Sequence, residues 1–172
     1  SSTSKITYAG SGLAVIATSK MDFSYVERSL KLQSIGPDKL NQMRHLRFFE
    51  AIGGIEELMR RHASILKPKF ERCFTILAEE LDGLNLAEWT EAKGGYFISI
   101  DLRDGQAKRV VDLAAAAGVR LTAAGSTYPY GRDPRDRNIR LAPSYPTIND
   151  LDEALRVLCA CIKFAAFESY LG

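Results

Sequence analysis

The chain has 172 residues, about the length of one domain, and its 46% apolar and 26% charged residues are typical of a soluble globular protein. A formal net charge of +2 argues against a nucleic-acid-binding protein that relies on bulk positive charge, and no run of about 18 apolar residues could span a membrane. Three cysteines, Cys73, Cys159 and Cys161, do not suit a disulfide framework. The sequence therefore predicts a cytoplasmic protein with reduced thiols and no metal site.

The first third of the chain is predicted to contain a buried strand and two helices. The apolar run 13–18 is typical of a strand that is covered on both faces. Asp22 can cap a helix over residues 23–33. A second helix has Pro37 in its first turn, runs to about Glu50 and is ended by Gly53-Gly54.

The rest of the chain alternates helices and strands. A long helix is predicted over 55–81 because apolar residues recur every three or four positions, and Pro68 should bend or interrupt it. Further strands are predicted at 87–90, 95–101, 119–122 and 138–142, with helices at about 105–117 and after a capping box at 147–150. This order predicts an α/β protein with an α+β small domain, in which a small mixed sheet packs with helices.

The residues around Lys5 carry the most chemistry. Ser2, Thr3 and Ser4 place hydroxyls directly before the lysine, and Gly10-Ser11-Gly12 follows it. Hydroxyls and backbone N–H groups can cradle an anion, and a lysine beside an apolar strand can attack a carbonyl carbon. The residues alone leave a second interpretation open, in which this segment is a solvated terminus with an ordinary surface lysine.

Four segments, taken together, resemble the class I aminotransferases, which are fold-type I enzymes that depend on pyridoxal 5′-phosphate. In chain order they are Ser2-Thr3-Ser4-Lys5, Lys93-Gly94-Gly95-Tyr96-Phe97, Gly118-Val119 with Ala124-Gly125-Ser126, and Asn138-Ile139-Arg140-Leu141-Ala142. The stretches 2–12, 35–39 and 140–146 are most similar to the MocR-like branch, which includes bacterial aspartate aminotransferases. The resemblance places this chain in the C-terminal portion of such an enzyme.

The resemblance implies roles for four residues. Lys5 matches the lysine that joins the cofactor covalently and then moves a proton, and Ser2 and Ser4 match hydroxyls that contact the cofactor phosphate. Arg140 matches the arginine that pairs with the substrate α-carboxylate, because a planar guanidinium donates two parallel hydrogen bonds to a carboxylate. The structural alternative for Arg140 is an ion pair, for instance with Asp136.

Two departures from the family pattern concern the phosphate site and a turn. Many relatives have an arginine eight residues after the lysine as a phosphate clamp, and this chain has Leu13 there. The backbone at Gly10 and Ser11, or a basic residue such as Lys20, would have to replace it. Ala124 stands where proline is usual.

The resemblance also implies an enzyme of amino acid metabolism, expected to be a homodimer. It would move an amino group between an amino acid, of the aspartate or glutamate type, and a 2-oxo acid, without nucleic acid or membrane partners. Complete enzymes of this family are more than twice this length. Residues 1–52 are therefore predicted to be a remnant of the large cofactor domain and residues 53–172 the interdomain helix and small domain, inactive alone.

Two other functions remain open at this point. The first is the aminotransferase-like effector domain of a GntR/MocR-type transcription regulator, which would carry a winged helix upstream. The second is a catalytically silent interaction fragment that uses the helix over 55–81 as a docking face.

Overall fold

The structure is a computed structural model, and it describes residues 2–171. The chain divides into two compact units, one from its start to Ala63 and one from Ser64 onward. The predicted domain boundary after residue 52 refers to the complete enzyme and stays a prediction.

The first unit contains the two predicted helices, α1 (Lys20–Gln33) and α2 (Lys39–Ile52). The cap of α1 is Ser19 and not Asp22, because the Ser19 Oγ accepts the N–H of Asp22 at 3.2 Å and donates to its carboxylate at 2.6 Å. The helix therefore starts three residues earlier than predicted. Helix α2 ends at Gly53, whose φ of 88° lies in the left-handed region that glycine adopts without strain.

The predicted strand over residues 13–18 is wrong. This segment makes one isolated antiparallel bridge, between Ser2 and Ala14, and Val15 and Ile16 are 69% and 61% exposed. A strand buried on both faces needs strands along its edges and layers over its faces. The described residues of the first unit supply neither.

Helix α3 (Ile55–Leu81) is continuous over 27 residues, so Pro68 does not interrupt it. The remaining elements are β1 (Ala87–Trp89), β2 (Ile98–Leu102), α4 (Ala107–Ala116), a short 3-10 helix (Pro129–Gly131), β3 (Asn138–Leu141) and α5 (Ile148–Leu171). Within residues 2–171, no helix is both long enough and apolar enough to cross a bilayer.

The sheet of the second unit has the order β1-β2-β3 and is antiparallel in both pairs, not mixed as predicted. The predicted strand at 119–122 does not form. The N–H of Gly118 bonds to the carbonyl of Ala115 and the N–H of Val119 to that of Ala114, at 3.0 and 2.8 Å. The backbone where this strand would begin therefore closes the end of α4 instead.

The sheet has one apolar face and one polar face. Ile98 pairs with Leu141 and Ile100 with Ile139, and all four side chains are buried in the core with residues of α3, α4 and α5. Because successive strand residues point to opposite faces, Arg140 lies on the other face. The core thereby fixes which way this guanidinium points.

Thr147 and Asp150 form the predicted capping box at the start of α5. The N–H of Asp150 donates to Thr147 Oγ1 at 3.2 Å, and the Thr147 hydroxyl donates to the Asp150 carboxylate at 2.7 Å.

We expect Thr147→Ala to lower the free energy of unfolding by about 1 kcal/mol, as measured by urea denaturation. The control Thr75→Ala removes an exposed hydroxyl that bonds within α3 and should change it by less than about 0.5 kcal/mol. Equal losses in the two variants would contradict the capping role.

Candidate active site

Lys5 lies at the centre of a single helical turn in the first unit. The carbonyl oxygen of Thr3 accepts the N–H of Ile6 at 2.8 Å and the N–H of Thr7 at 3.0 Å. These two bonds close the backbone around Lys5, which is exposed. The lysine is thus presented by a defined turn.

The two predicted phosphate-contacting serines lie on the same short segment as Lys5. The Ser2 Oγ accepts the backbone N–H of Ser4 at 3.1 Å, and both serines are exposed. The structure therefore brings together Ser2, Ser4 and Lys5, three of the four predicted site residues. Arg140, the fourth, belongs to the second unit.

The chain after the turn comes back against it at Gly12 and Leu13. The N–H of Thr3 donates to the carbonyl of Leu13, and the N–H of Leu13 donates to Thr3 Oγ1, both at 2.8 Å. A Cβ at Gly12 would lie 2.9 Å from the Cα of Ser4, so only glycine allows this approach. Leu13 therefore supports the turn through its backbone.

Arg140 stacks on an aromatic ring on the polar face of the sheet. Its guanidinium carbon lies 4.4 Å from the centroid of the Phe97 ring, a cation–π arrangement. Its Nη2 lies 3.4 Å from the Thr122 Oγ1, at the long end of hydrogen-bond distances. Stacking holds the plane of the guanidinium and leaves its edge for an in-plane partner.

The edge of this guanidinium lacks a carboxylate. The Arg140 Nε is buried and donates no hydrogen bond to any described residue, and the salt bridges within residues 2–171 do not include Arg140. Asp136, the structural alternative, instead accepts the N–H of Lys108 at 3.3 Å. A buried donor without a partner costs about 1–3 kcal/mol, which a bound carboxylate would recover.

Asp133 organises the loop that leads into β3. Its carboxylate accepts the N–H groups of Arg135, Arg137 and Asn138 at 2.8–3.0 Å. Partial desolvation raises the pKa of Asp133, but the three backbone N–H bonds and the charge of Arg137 outweigh it and hold the pKa below its ordinary value. The ionised carboxylate therefore fixes the backbone just before Arg140.

Gly125 allows the close packing of the loop that precedes Asp133. Its φ is +81°, and a Cβ there would lie 2.5 Å from the carbonyl oxygen of Gly131. No larger residue fits without moving the loop. This glycine belongs to the Ala124-Gly125-Ser126 stretch that carried part of the resemblance.

The family follows from comparison with known proteins. The family model described as aspartate amino-transferase matches residues 1–172. The chain belongs to the aspartate amino-transferase family. This finding supports the predicted correspondence to the C-terminal portion of such an enzyme, whereas the MocR-like branch stays a prediction.

Three similar proteins come from Mycolicibacterium and Corynebacterium species. A proposed aminotransferase from Mycolicibacterium smegmatis is 45% identical over 99% of this chain, which spans 40% of that protein. A proposed aminotransferase from Corynebacterium diphtheriae has 46% identity and a TM-score of 0.87, over 97% of this chain and 41% of that one. An aspartate transaminase from Corynebacterium glutamicum has 43% identity and a TM-score of 0.86, over 98% and 40%. The chain therefore spans about 40% of the length of these relatives.

The fold extends to more distant aminotransferases. An α-aminoadipate aminotransferase from Thermus thermophilus has 18% identity and a TM-score of 0.71 over 95% of this chain. At that identity the likeness concerns the fold alone, and it agrees with the predicted fold type.

Two residues that contact Arg140, Phe97 and Thr122, are not predicted by the sequence as site residues. Phe97 lies in the Lys93–Phe97 segment of the resemblance, and Thr122 lies in a predicted strand. The two-residue alternation of β2, extended back by one residue, places Phe97 on the same face as Ser99. Because Ser99 pairs with Arg140, the strand register was the missing signal.

Replacing Asp133 should destabilise the fold in a pH-dependent way. A carboxyl whose folded pKa is lowered contributes stability above its unfolded pKa and loses it as pH falls through the folded pKa. We expect Asp133→Asn to lower the free energy of unfolding by about 1–3 kcal/mol at pH 7, and the difference to shrink below about pH 4. Urea titrations at a series of pH values measure this.

The matched control for Asp133 is Asp112→Asn, on the exposed side of α4. It should change the free energy of unfolding by less than about 0.5 kcal/mol. A difference between wild type and Asp133→Asn that stays constant across the pH series would contradict the role given to the carboxylate.

Proposed function

We propose that this chain supplies the cofactor lysine and the substrate-carboxylate arginine of an aminotransferase that depends on pyridoxal 5′-phosphate. One observation carries the proposal: the guanidinium of Arg140 is held against Phe97 with a buried, unbonded Nε and no carboxylate partner among the described residues. An amino acid or a 2-oxo acid brings the missing carboxylate. Family membership supplies the reaction class.

The groups around Lys5 fit the cofactor by their chemistry. An amine can join an aldehyde, and the hydroxyls of Ser2 and Ser4 can donate hydrogen bonds to a phosphate. Ser2, Ser4 and Lys5 are all exposed, and they lie in the turn or directly before it. When bound, pyridoxal 5′-phosphate withdraws electrons from the substrate Cα, which lowers the barrier to losing the Cα proton.

Each of the site residues has a defined task in this proposal. The Nζ of Lys5 would hold the cofactor through a covalent bond until the amine of the substrate replaces it there. The freed Nζ then takes the proton from Cα, because a neutral amine held nearby is an effective base. Arg140 would bind the α-carboxylate of the substrate through two parallel hydrogen bonds, which fix the orientation of that carboxylate.

We propose an amino acid of the aspartate or glutamate type as the substrate, since the Corynebacterium glutamicum relative is an aspartate transaminase. The chain spans about 40% of that relative. We therefore also propose that turnover requires further segments and a homodimer, and that this chain alone is inactive.

The lysine is tested by Lys5→Ala in the intact protein that carries this chain. Without the amine we expect loss of the visible absorbance of the lysine-bound cofactor and a fall in transamination of about 10²–10⁴-fold or more. Absorption spectra and a coupled assay measure the two effects. The control Lys31→Ala removes an exposed lysine that pairs with Glu27 on α1, and it should leave both unchanged. Substantial transamination by Lys5→Ala would overturn the proposed function.

The arginine is tested by Arg140→Ala under steady-state kinetics. Losing a buried, charge-assisted contact costs about 2–5 kcal/mol, so we expect KM to rise about 30-fold or more for every amino acid tried. The control Arg109→Ala removes an exposed arginine that pairs with Glu168 and should leave KM unchanged. An unchanged KM in Arg140→Ala would show that the α-carboxylate binds elsewhere.

A further inference from the structure

We propose that His45 is a positioning residue for Lys5, and that it acts through the hydroxyl of Thr7. The inference rests on the proposed function, because it concerns how the cofactor lysine is held. It assigns a task to a buried histidine that the family assignment leaves without one.

The hydrogen bonds of His45 define which ring nitrogen carries the proton. His45 is 2% exposed, and its Nδ1 lies 2.9 Å from the backbone carbonyl oxygen of Asn41. A carbonyl oxygen only accepts, so the Nδ1 is the protonated nitrogen. In the neutral ring the Nε2 is therefore an acceptor.

The groups that meet this acceptor come from the two ends of the Lys5 turn. The Thr7 Oγ1 lies 2.7 Å from the Nε2 and the Thr3 Oγ1 lies 3.4 Å from it. Thr3 stands two residues before Lys5 and Thr7 two residues after it. The buried Nε2 of His45 therefore contacts both ends of the turn that carries Lys5.

Thr7 has one hydroxyl proton and two acceptors within reach. The Thr3 carbonyl lies 3.3 Å away and the Nε2 of His45 lies 2.7 Å away. The shorter distance favours donation to His45, since a hydroxyl bond is best near 2.7–2.8 Å. This bond ties the end of the turn to helix α2.

The ring itself is restrained from several sides. The His45 ring is nearly perpendicular to the ring of Tyr8, with centroids 5.2 Å apart, and the centroid of the Phe49 ring lies at 6.3 Å. Asn41 also donates from its Nδ2 to the carbonyl of Ser11 at 2.8 Å. Helix α2 therefore contacts residues 3–11 at two places. His45 contacts Thr3 and Thr7, and Asn41 bonds to the backbone of Ser11.

Packing alone does not account for a histidine at this position. An apolar ring could fill the space, whereas a buried imidazole costs free energy unless both nitrogens find partners. Both partners at the Nε2 belong to the Lys5 turn. A lysine amine sits on a flexible four-carbon stem, so fixing its backbone narrows where the amine can react.

The matched variants Thr7→Val and Thr7→Ser test the proposal in the intact protein. Valine keeps the shape of threonine without the hydroxyl, and serine keeps the hydroxyl. We expect Thr7→Val to speed amide hydrogen exchange over residues 3–13 by about fivefold, the effect of losing one net hydrogen bond. It should also shift the pH midpoint of the visible band of the lysine-bound cofactor. Thr7→Ser should stay near wild type in both measurements.

His45 itself is tested by a second pair, His45→Gln and His45→Leu. Glutamine can still accept from Thr7, so it should recover part of the spectral midpoint and of the exchange protection, whereas leucine should recover neither. Equal behaviour of Thr7→Val and Thr7→Ser would overturn the proposal. So would a lowered Tm with exchange and spectral midpoint unchanged, since packing alone would produce it.

Failure of the proposed function is distinguishable from failure of this inference. A wild-type protein that shows no visible band with pyridoxal 5′-phosphate overturns the proposed function, and the cofactor role of His45 with it. A normal wild-type band with exchange unaffected by Thr7→Val overturns the role of His45 alone. The exchange measurement needs no cofactor, so it decides in either case whether the turn depends on this histidine.

Discussion

The pairing register between β2 and β3 is the constraint on which the candidate carboxylate site depends. Ser99 opposite Arg140 places four isoleucine and leucine side chains, two from each strand, in the core and the arginine on the opposite face. A slip of one residue would exchange the two faces and bury the guanidinium among apolar side chains. Because burying the guanidinium and exposing the apolar side chains would cost free energy, the packing of the core determines that Arg140 faces Phe97. Stability and the binding geometry are thus set by one register.

Much of this architecture follows from local sequence signals. The long helix over 55–81, the capping box at Thr147 and the glycine that ends α2 were predicted because each depends on neighbouring residues in the chain. The segments that suggested the family did so through glycines and charged residues in short runs. The structure gives Gly125 a physical reason, since the carbonyl of Gly131 lies where its side chain would be.

The two predicted strands that do not form, at 13–18 and 119–122, fail for a common physical reason. The apolar run 13–18 has the composition of a buried strand, but composition does not supply the strands that must pair with it. The segment 119–122 has β-branched residues, but the N–H of Val119 is committed to closing α4. Strand formation depends on partners that are distant in the sequence. The stacking of Arg140 on Phe97 could not be predicted for the same reason, since it depends on how β2 pairs with β3.

The leucine at position 13 supports the turn around Lys5 through its backbone and not through its side chain. Leu13 exchanges two backbone-to-threonine hydrogen bonds with Thr3, and neither depends on the side chain at position 13. Gly12 allows the close approach that these bonds need. The turn around Lys5 is therefore maintained by the backbone at 12–13 and by the hydroxyls of Thr3 and Thr7, so the side chain at position 13 does not decide how the amine is presented.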